Sequence, residues 1–377
     1  MPGLWPGELR MVKNAGIDKT LLSVSLLLML IGLLMTYSST MIVAKENYGD
    51  SLYFLKRQLV WLALALIVFI AVAFFEHPFY LNKSVVYLFL FFSMAGLVAV
   101  FFFPPINQSY RWIKILGLSF QPSEMAKISL VLYLAHILSR KGFDLNNTKA
   151  LFLSLLPVLL MIVLILKEPD FGTVLLIVTV SGVMLFVAGL KLRFFALFFV
   201  SFIPVFAVLV RNDPQRFSRI LSFLNPEAFI SSHGFQAAQS LYAIGSGGLF
   251  GQGIGSSTQK LFFLPYAYSD FIFAIIAEET GFIGALVLIA LFVIFFFRGL
   301  FIAKRADNGQ AYLLVLGLTF LIFIQALTNI SVNIGIFPTK GLPLPFISTG
   351  GSSLLGAALI SGIILNVSRQ RKVVLAK

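Results

Sequence analysis

Ten stretches of this chain are too long and too apolar to belong to a water-soluble fold. Crossing the hydrocarbon core of a bilayer takes roughly 20 apolar residues in a helix. Charge-free runs of that kind cover residues 21–43, 59–75, 85–103, 150–166, 173–190, 194–210, 311–329 and 352–367. Two further runs carry charges: 122–138 holds Glu124 and Lys127, and 270–297 holds Glu278 and Glu279. Inside lipid every backbone N–H and C=O must be bonded within the protein, which restricts spanning segments to helices and closed barrels. Apolar runs of this length read as helices. The first is too long for the apolar part of a secretion signal, and nine others follow it, so it reads as a retained helix. With 59% of residues hydrophobic and 11% charged, the chain is expected to be an all-α integral membrane protein. It reads as one polytopic membrane domain over residues 1–377 with ten transmembrane helices.

An even number of spans leaves both termini on one side of the membrane. Lys and Arg favour cytoplasmic loops. An inside N-terminus puts sixteen of them in inner loops and tails and eleven in outer loops, which predicts cytoplasmic tails at 1–20 and 368–377. It also predicts a large extracytoplasmic loop, 211–269, between helices 7 and 8. That length is far beyond an ordinary connection, so the loop is expected to carry function. Within it Phe217, Ile220, Leu221 and Leu224 recur at helical spacing beside Arg216 and Arg219, the pattern of a short helix lying in the membrane interface. The net charge of +13 fits basic loops against anionic membrane lipids and implies no nucleic acid. The chain has no cysteine, and its three histidines lack ligand spacing, so disulfides are excluded and a structural zinc site is not expected.

Against this apolar background the polar residues are conspicuous. Asp270 sits where a loop bearing Pro265, Tyr266 and Tyr268 becomes a long apolar helix. Taken alone, the position suggests an N-cap, where a carboxylate bonds orphan backbone N–H groups. Glu278 and Glu279 follow inside that helix, roughly 12–13 Å along it at 1.5 Å per residue. Charges at such depth mark function by default; the structural alternative is that one of them, paired with Lys127 or neutral, holds two helices together. Residues 121–127 read QPSEMAK, a helix start with Pro122 and Ser123 in the first turn and Glu124 three residues before Lys127. KEPDFGT at 167–173 reads as a tight outer turn. Six glycines fall in the eleven residues 245–255, without the strand or spacing of a dinucleotide fingerprint. That run either presents backbone N–H groups to a phosphate or forms a flexible or re-entrant loop. PTKGLPLPFISTGGSSLLG at 338–356 is more rigid than a connection between two helices requires.

In order along the chain, YRWI (110–113), FQPSEMAK (120–127), KEPDFGT (167–173), QSLYAIGSGGLFGQGIG (239–255), QKLFFLPYAYSDFIFAIIAEE (259–279) and PTKGLPLPFISTGGSSL (338–354) resemble the SEDS family (shape, elongation, division and sporulation). The likeness runs over nearly the whole chain, and PTKGLPLP with YFLKRQLVW (53–61) brings it nearer the division branch than the elongation branch. The chain departs from the family's usual pattern at Tyr268-Ser269, where His-Thr is common, at Thr349, where Tyr is common, and at Tyr110, where a second Arg is common.

The resemblance implies a peptidoglycan glycosyltransferase that polymerises lipid II at the outer face of the bacterial cytoplasmic membrane, at the division site. It implies a class B penicillin-binding protein and other divisome proteins as partners. Asp270 matches the family's essential aspartate and is read as the general base toward the acceptor 4-hydroxyl. Arg111, Lys260 and Lys340, which sit in the shared blocks, are the first candidates to hold pyrophosphate, followed by Lys56, Arg57, Arg216 and Arg219. Gln121, Ser123, Glu124, Ser348 and Ser352 are further substrate-binding candidates, and Lys127, Glu278 and Glu279 are intramembrane polar candidates. No cofactor is required by the sequence; a divalent cation (Mg or Mn) bridging Asp270 and pyrophosphate stays open. The competing functions are a lipid II flippase, an elongation-type polymerase and a scaffold that recruits a synthase. The concentration of candidate residues at the outer side favours an enzyme.

Overall fold

Capping side chains and glycines set where the apolar runs begin and end. In a computed structural model, which describes residues 16–75, 78–105, 109–115, 118–194, 211, 223, 233–339 and 341–369, α1 (Lys19–Tyr48) starts after Asp18, whose carboxylate accepts the Leu21 N–H, and stops at Gly49 with φ 70°. Next come α2 (Tyr53–Phe74) and α3 (Lys83–Ala99), the latter capped by Asn82. Helix α4 (Pro122–Leu138) opens on a proline, whose missing N–H is harmless in a first turn. Asn147 caps α5 (Thr148–Lys167) and Asp170 caps α6 (Phe171–Val187). The C-terminal half holds α7 (His233–Ser246), α8 (Ile272–Lys304), α9 (Gly309–Asn333, capped by Asn308) and α10 (Gly351–Arg369).

The protein is an all-α membrane protein. Among the described residues seven helices are long and apolar enough to cross a bilayer: α1, α2, α3 with its extension to Phe102, α5, α8, α9 and α10. Helices α4 and α6 have 17 residues each. The expected span at 194–210 falls almost wholly outside the described residues, as does the expected interfacial helix around Phe217, Ile220, Leu221 and Leu224. Two features were not expected. Within the stretch 104–121, expected on the outer side, a short antiparallel hairpin forms, β1 (Ile113–Ile115) against β2 (Leu118–Phe120), with Ile113 opposite Phe120. Within 211–269 lies α7.

Burial sorts the helices into centre and rim. The apolar stretch of α10 is 83% buried inside the protein and that of α5 only 22%, so α10 is central and α5 faces outward. Nearly every residue of α4 is buried as well, and α4, α9 and α10 pack against one another. Around them α2 packs on α10, α3 on α4, α6 on α4 and α9, and α8 on α1 and α9. The rim helices leave Ile67, Phe91, Phe92 and Phe152 exposed. Exposing such a side chain to water forgoes about 1.5–3 kcal/mol each, a penalty that lipid removes. One contact places the site directly: Gly32 of α1 lies so close to the loop after α9 that a Cβ there would come within 2.3 Å of the Phe346 carbonyl oxygen.

Candidate active site

The apolar run 270–297 is not one continuous helix. Gly281, with φ 70° and ψ −170°, breaks α8 two residues after Glu279. A break frees backbone groups, and in an apolar setting each needs a partner. The glycine-rich loop supplies them: Gln252 and Gly253 N–H donate to the Glu278 and Glu279 carbonyls at 3.0 Å each, while Phe282 and Ile283 N–H donate to the Gly248 and Leu249 carbonyls at 2.8 and 3.2 Å. A Cβ on Gly281 would lie 2.3 Å from the Gly251 nitrogen, so glycine is required there. The N–H groups of Gln252 and Gly253, in the glycine run read as either a phosphate cradle or a flexible or re-entrant loop, are therefore occupied by the broken helix.

The two glutamates before the break are buried, Glu278 at 0% and Glu279 at 1% exposure. Glu278 accepts the Ser257 hydroxyl, the Thr258 N–H at 3.0 Å and the Thr258 hydroxyl at 2.9 Å. Glu279 accepts the Ser38 hydroxyl of α1 at 2.6 Å and pairs with Lys260 Nζ at 2.8 Å. Two expectations are corrected. Lys260 was expected among the outer cations, yet it is 3% exposed, the cost of desolvating its ammonium offset by the close Glu279 carboxylate. The structural alternative paired Lys127 with one of these glutamates; Lys127 instead pairs with Glu124 at 2.8 Å and donates to Gln325 Oε1 at 2.8 Å. The Gln325 amide continues this chain to the Pro343 carbonyl at 2.9 Å. A small cavity between α4, α9 and α10 lies beside that cluster.

Asp270 stands differently. Helix α8 starts at Ile272 with Phe271 as its N-cap and no side-chain capping bond from that residue, so Asp270 lies one residue before the capping position it was expected to fill. The preceding loop holds Phe262 and Tyr266 in the left-handed region, φ 66° and 59°, where side chains are disfavoured and need support. Part of that support comes from the loop before α10. The Ser348 hydroxyl donates to the Ser269 carbonyl, and Ser348 Oγ accepts the Leu344 N–H at 2.8 Å. Thr349 donates to the Tyr268 carbonyl from its N–H at 3.1 Å and its hydroxyl at 2.7 Å. From α9, Asn329 and Asn333 donate to the Asp270 carbonyl at 2.9 and 3.1 Å. The Phe54 ring stacks on Tyr268 at 5.8 Å and ties in the α1–α2 tip, where Tyr48 stacks on Tyr53 at 3.9 Å. Burial holds the Tyr268 hydroxyl above its ordinary pKa, and Tyr266, Tyr48 and Asp270 add to the effect.

Arg111 arrives from another loop. Its Nε donates to the Glu168 carbonyl at 3.1 Å and its Nη2 to the Pro169 carbonyl, so the guanidinium is fixed on the 167–170 turn. A Cβ placed on Gly341 would lie 3.3 Å from Asp270 Oδ2 and 3.9 Å from Arg111 Nη1. Carboxylate and guanidinium thus meet at one small residue. Beneath them Glu168 is wholly buried, and among the described residues neither of its carboxylate oxygens has a hydrogen-bond partner. Burial pushes its carboxyl up to about 8; Asp170 adds to the rise and Arg111 opposes it.

The remaining candidates are distributed. The Gln121 N–H donates to Ser352 Oγ at 3.0 Å, its amide donates to Ser123 Oγ at 3.0 Å, and the Ser352 hydroxyl donates to the Ser119 carbonyl at 3.3 Å. These bonds join β2, α4 and α10. Lys56 is exposed and paired with Asp50 at 2.8 Å; Arg57 donates to the Tyr53 hydroxyl at 3.4 Å. Lys340, Arg216 and Arg219 lie outside the described residues. Asn329 and Asn333 were missed by sequence reasoning. The signal was present: two asparagines four apart share one face of an apolar helix, where polar side chains call for an explanation.

Comparison with known proteins gives one answer along the full length. A family model described as a cell cycle protein of the FtsW, RodA and SpoVE group matches residues 18–373. A probable peptidoglycan glycosyltransferase FtsW of Trichlorobacter lovleyi is 39% identical over 356 residues, covering 93% of each chain. Stage V sporulation protein E of Bacillus subtilis is 37% identical over 362 residues, covering 95% of this chain and 98% of that one. Among solved structures, the Thermus thermophilus rod shape determining protein RodA aligns with TM-score 0.69 at 26% identity, over 95% of this chain and 98% of that one. A chain from a peptidoglycan synthase complex aligns with TM-score 0.77 at 26% identity, over 94% and 98%. On sequence, fold and extent of match, this chain belongs to the FtsW/RodA/SpoVE family.

Proposed function

We propose that the protein is a peptidoglycan glycosyltransferase that polymerises lipid II at the outer face of the cytoplasmic membrane. The observation that carries this reading is the meeting of Asp270 and Arg111 at Gly341, in a chain whose curated relatives include glycosyltransferases matched over 93% of both sequences. The topology that goes with it is a single polytopic domain of ten spans with both termini cytoplasmic. That topology puts the Asp270 loop, the 338–350 loop and Arg111 on the outer side together.

The chemistry needs a sugar hydroxyl to attack an anomeric carbon while a diphosphate leaves. Asp270 accepts the proton of the acceptor 4-hydroxyl, the oxygen bonds to the donor C1, and the bond from C1 to the diphosphate oxygen breaks. Undecaprenyl diphosphate departs with the electron pair, and attack on an α-linked donor yields a β-1,4 linkage. A positioned base contributes about 10²–10⁴-fold. Arg111, already fixed by two carbonyls, meets the charge growing on the diphosphate without reorganising. Lys340, beside Gly341 in sequence, remains a candidate for the same role. A divalent ion held by Asp270 would add charge stabilisation for the leaving group; chelating the purified enzyme measures that contribution. We assign the activity to septal wall synthesis beside a class B penicillin-binding protein. The division-named relatives and the likeness to a synthase complex that coordinates polymerization and crosslinking support this assignment.

The test is glycan-chain formation from labelled lipid II by the purified protein with its transpeptidase. Asp270→Asn should abolish polymer while leaving the fold intact; near-normal product from that variant overturns the reading, and lipid II movement without polymer would favour a flippase. Because the chain has no cysteine, Ser256→Cys gives a single thiol. An impermeant reagent should label it from outside intact cells, and labelling only after lysis would contradict the topology.

A further inference from the structure

We propose that Asn333 is a positioning residue that holds Asp270 outside helix α8. The inference rests on the reading of Asp270 as the base. In an uninterrupted α-helix the N–H of residue 274 donates to the carbonyl of residue 270. Here the Asn333 carboxamide is inserted between them: the Ala274 N–H donates to Asn333 Oδ1 at 3.1 Å, and Asn333 Nδ2 donates to the Asp270 carbonyl at 3.1 Å. An amide carries an acceptor oxygen and two donor hydrogens, so one side chain reproduces both ends of the bond it replaces. The Ala274 N–H also reaches the Phe271 carbonyl at 3.1 Å, and the first turn of α8 begins there, one residue beyond Asp270.

The insert is itself held firmly. Asn333 Nδ2 also donates to the Asn329 carbonyl one turn earlier at 2.9 Å, and Ser240 of α7 donates its hydroxyl to the Asn333 carbonyl at 2.8 Å. Asn329 donates to the Asp270 carbonyl at 2.9 Å and to the Leu342 carbonyl at 2.8 Å. The backbone of Asp270 and the loop carrying Gly341 are therefore referred to one helix. Asn333 is 0% and Asn329 2% exposed, so water does not substitute for a missing amide. Without the Asn333 amide, α8 is free to close the bond from Ala274 to Asp270. Taking Asp270 into the helix would re-aim its side chain away from Gly341 and Arg111, which it now meets from the loop.

The experiment uses the full-length protein with its transpeptidase and labelled lipid II. Asn333→Ala should lower kcat by about 100-fold, the scale of a misplaced reacting group, with KM unchanged. Asn333→Gln, which keeps the donors and acceptor, should recover part of the loss. Ser240→Ala removes only the anchor from α7, so it should lower the melting temperature and leave kcat alone. Full activity in Asn333→Ala overturns the proposal, as does a parallel fall of kcat in Ser240→Ala. If Asn333→Ala does not fold, Asn333→Asp carries the test: it keeps the shape and the acceptor, loses the donor, and should show the same kcat defect. An inactive Asp270→Asn with a fully active Asn333→Ala sinks the positioning role alone. An active Asp270→Asn sinks the reading of the base, and with it any catalytic meaning of the insert.

Discussion

Asp270 and Glu279 lie nine positions apart on one segment, and they differ in burial and in what holds them. Glu279 is buried, paired with an ammonium and bonded to a hydroxyl from a helix far away in sequence. Asp270 is half-buried; α9 fixes its main chain, and its carboxylate lies against Gly341 near a guanidinium. The difference teaches how to read acids in an apolar chain. A carboxylate enclosed by donors serves cohesion, because any change of its charge must break the enclosure. A carboxylate that stays partly exposed on an anchored loop can meet a substrate without that rupture.

That contrast makes opposite predictions for the two acids. The largest effect is expected for Asp270→Asn: polymerisation falls by about 10²–10⁴-fold while thermal unfolding in detergent is unchanged. Next is Glu279→Ala, which strands Lys260 in the interior and should remove about 3–5 kcal/mol of stability, measurable as a lowered melting temperature. Replacing the pair together, Lys260→Met with Glu279→Leu, should restore most of that loss. A stable Glu279→Ala, or an unstable Asp270→Asn, would erase the distinction between the two sites.

Much of the helical framework was legible because hydropathy is a local property. Helix α4 has the bounds of its apolar run, 122–138, and proline, asparagine and aspartate mark the starts of α4, α5 and α6. The break in α8 was not legible. A single glycine within an apolar stretch looks ordinary until a second glycine loop lies against it. The fate of Lys260 was hidden for the same reason: Ser38, which shares Glu279 with it, is 241 residues from that glutamate, and no local pattern announces such a meeting. At the site, Asp270 and Arg111 were both marked in sequence. Their meeting at Gly341, and the asparagines behind it, depend on how separate loops fold onto α9.

Two smaller effects sharpen the comparison. Arg111→Ala should weaken lipid II binding by about 1.5–3 kcal/mol, the range for hydrogen bonds to charged groups. An undecaprenol-linked analogue lacking phosphate should be affected much less, and equal losses for both ligands would make Arg111 a brace for the 167–170 turn. The last effect is a pH dependence and concerns Glu168, a buried acid that lacks, among the described residues, the donors that enclose Glu279. Its carboxyl keeps its proton in the fold up to about 8, whereas in the unfolded chain it ionises near 4.5. The stability it contributes is complete below the lower value and lost as pH rises through the upper one. Glu168→Gln should flatten the fall of melting temperature across that interval, and an unchanged slope would mean another group sets it.

The break in α8 also bears on how the protein is made. Held in its broken form in lipid alone, the segment Ile272–Lys304 would leave the carbonyls of Glu278 and Glu279 and the N–H groups of Phe282 and Ile283 without the partners they have in the fold, each at several kcal/mol. A straight helix would instead pair Phe282 with Glu278 and Ile283 with Glu279. The loop that supplies those partners precedes α8 in the chain, so it leaves the ribosome first and is already present when the segment emerges. Breaking of this helix and docking of its loop are therefore expected to be one step of biogenesis. A substitution such as Gly251→Val, whose Cβ would meet the Glu279 carbonyl at 2.2 Å, should be seen first as protein missing from the membrane fraction and only afterwards as lost activity.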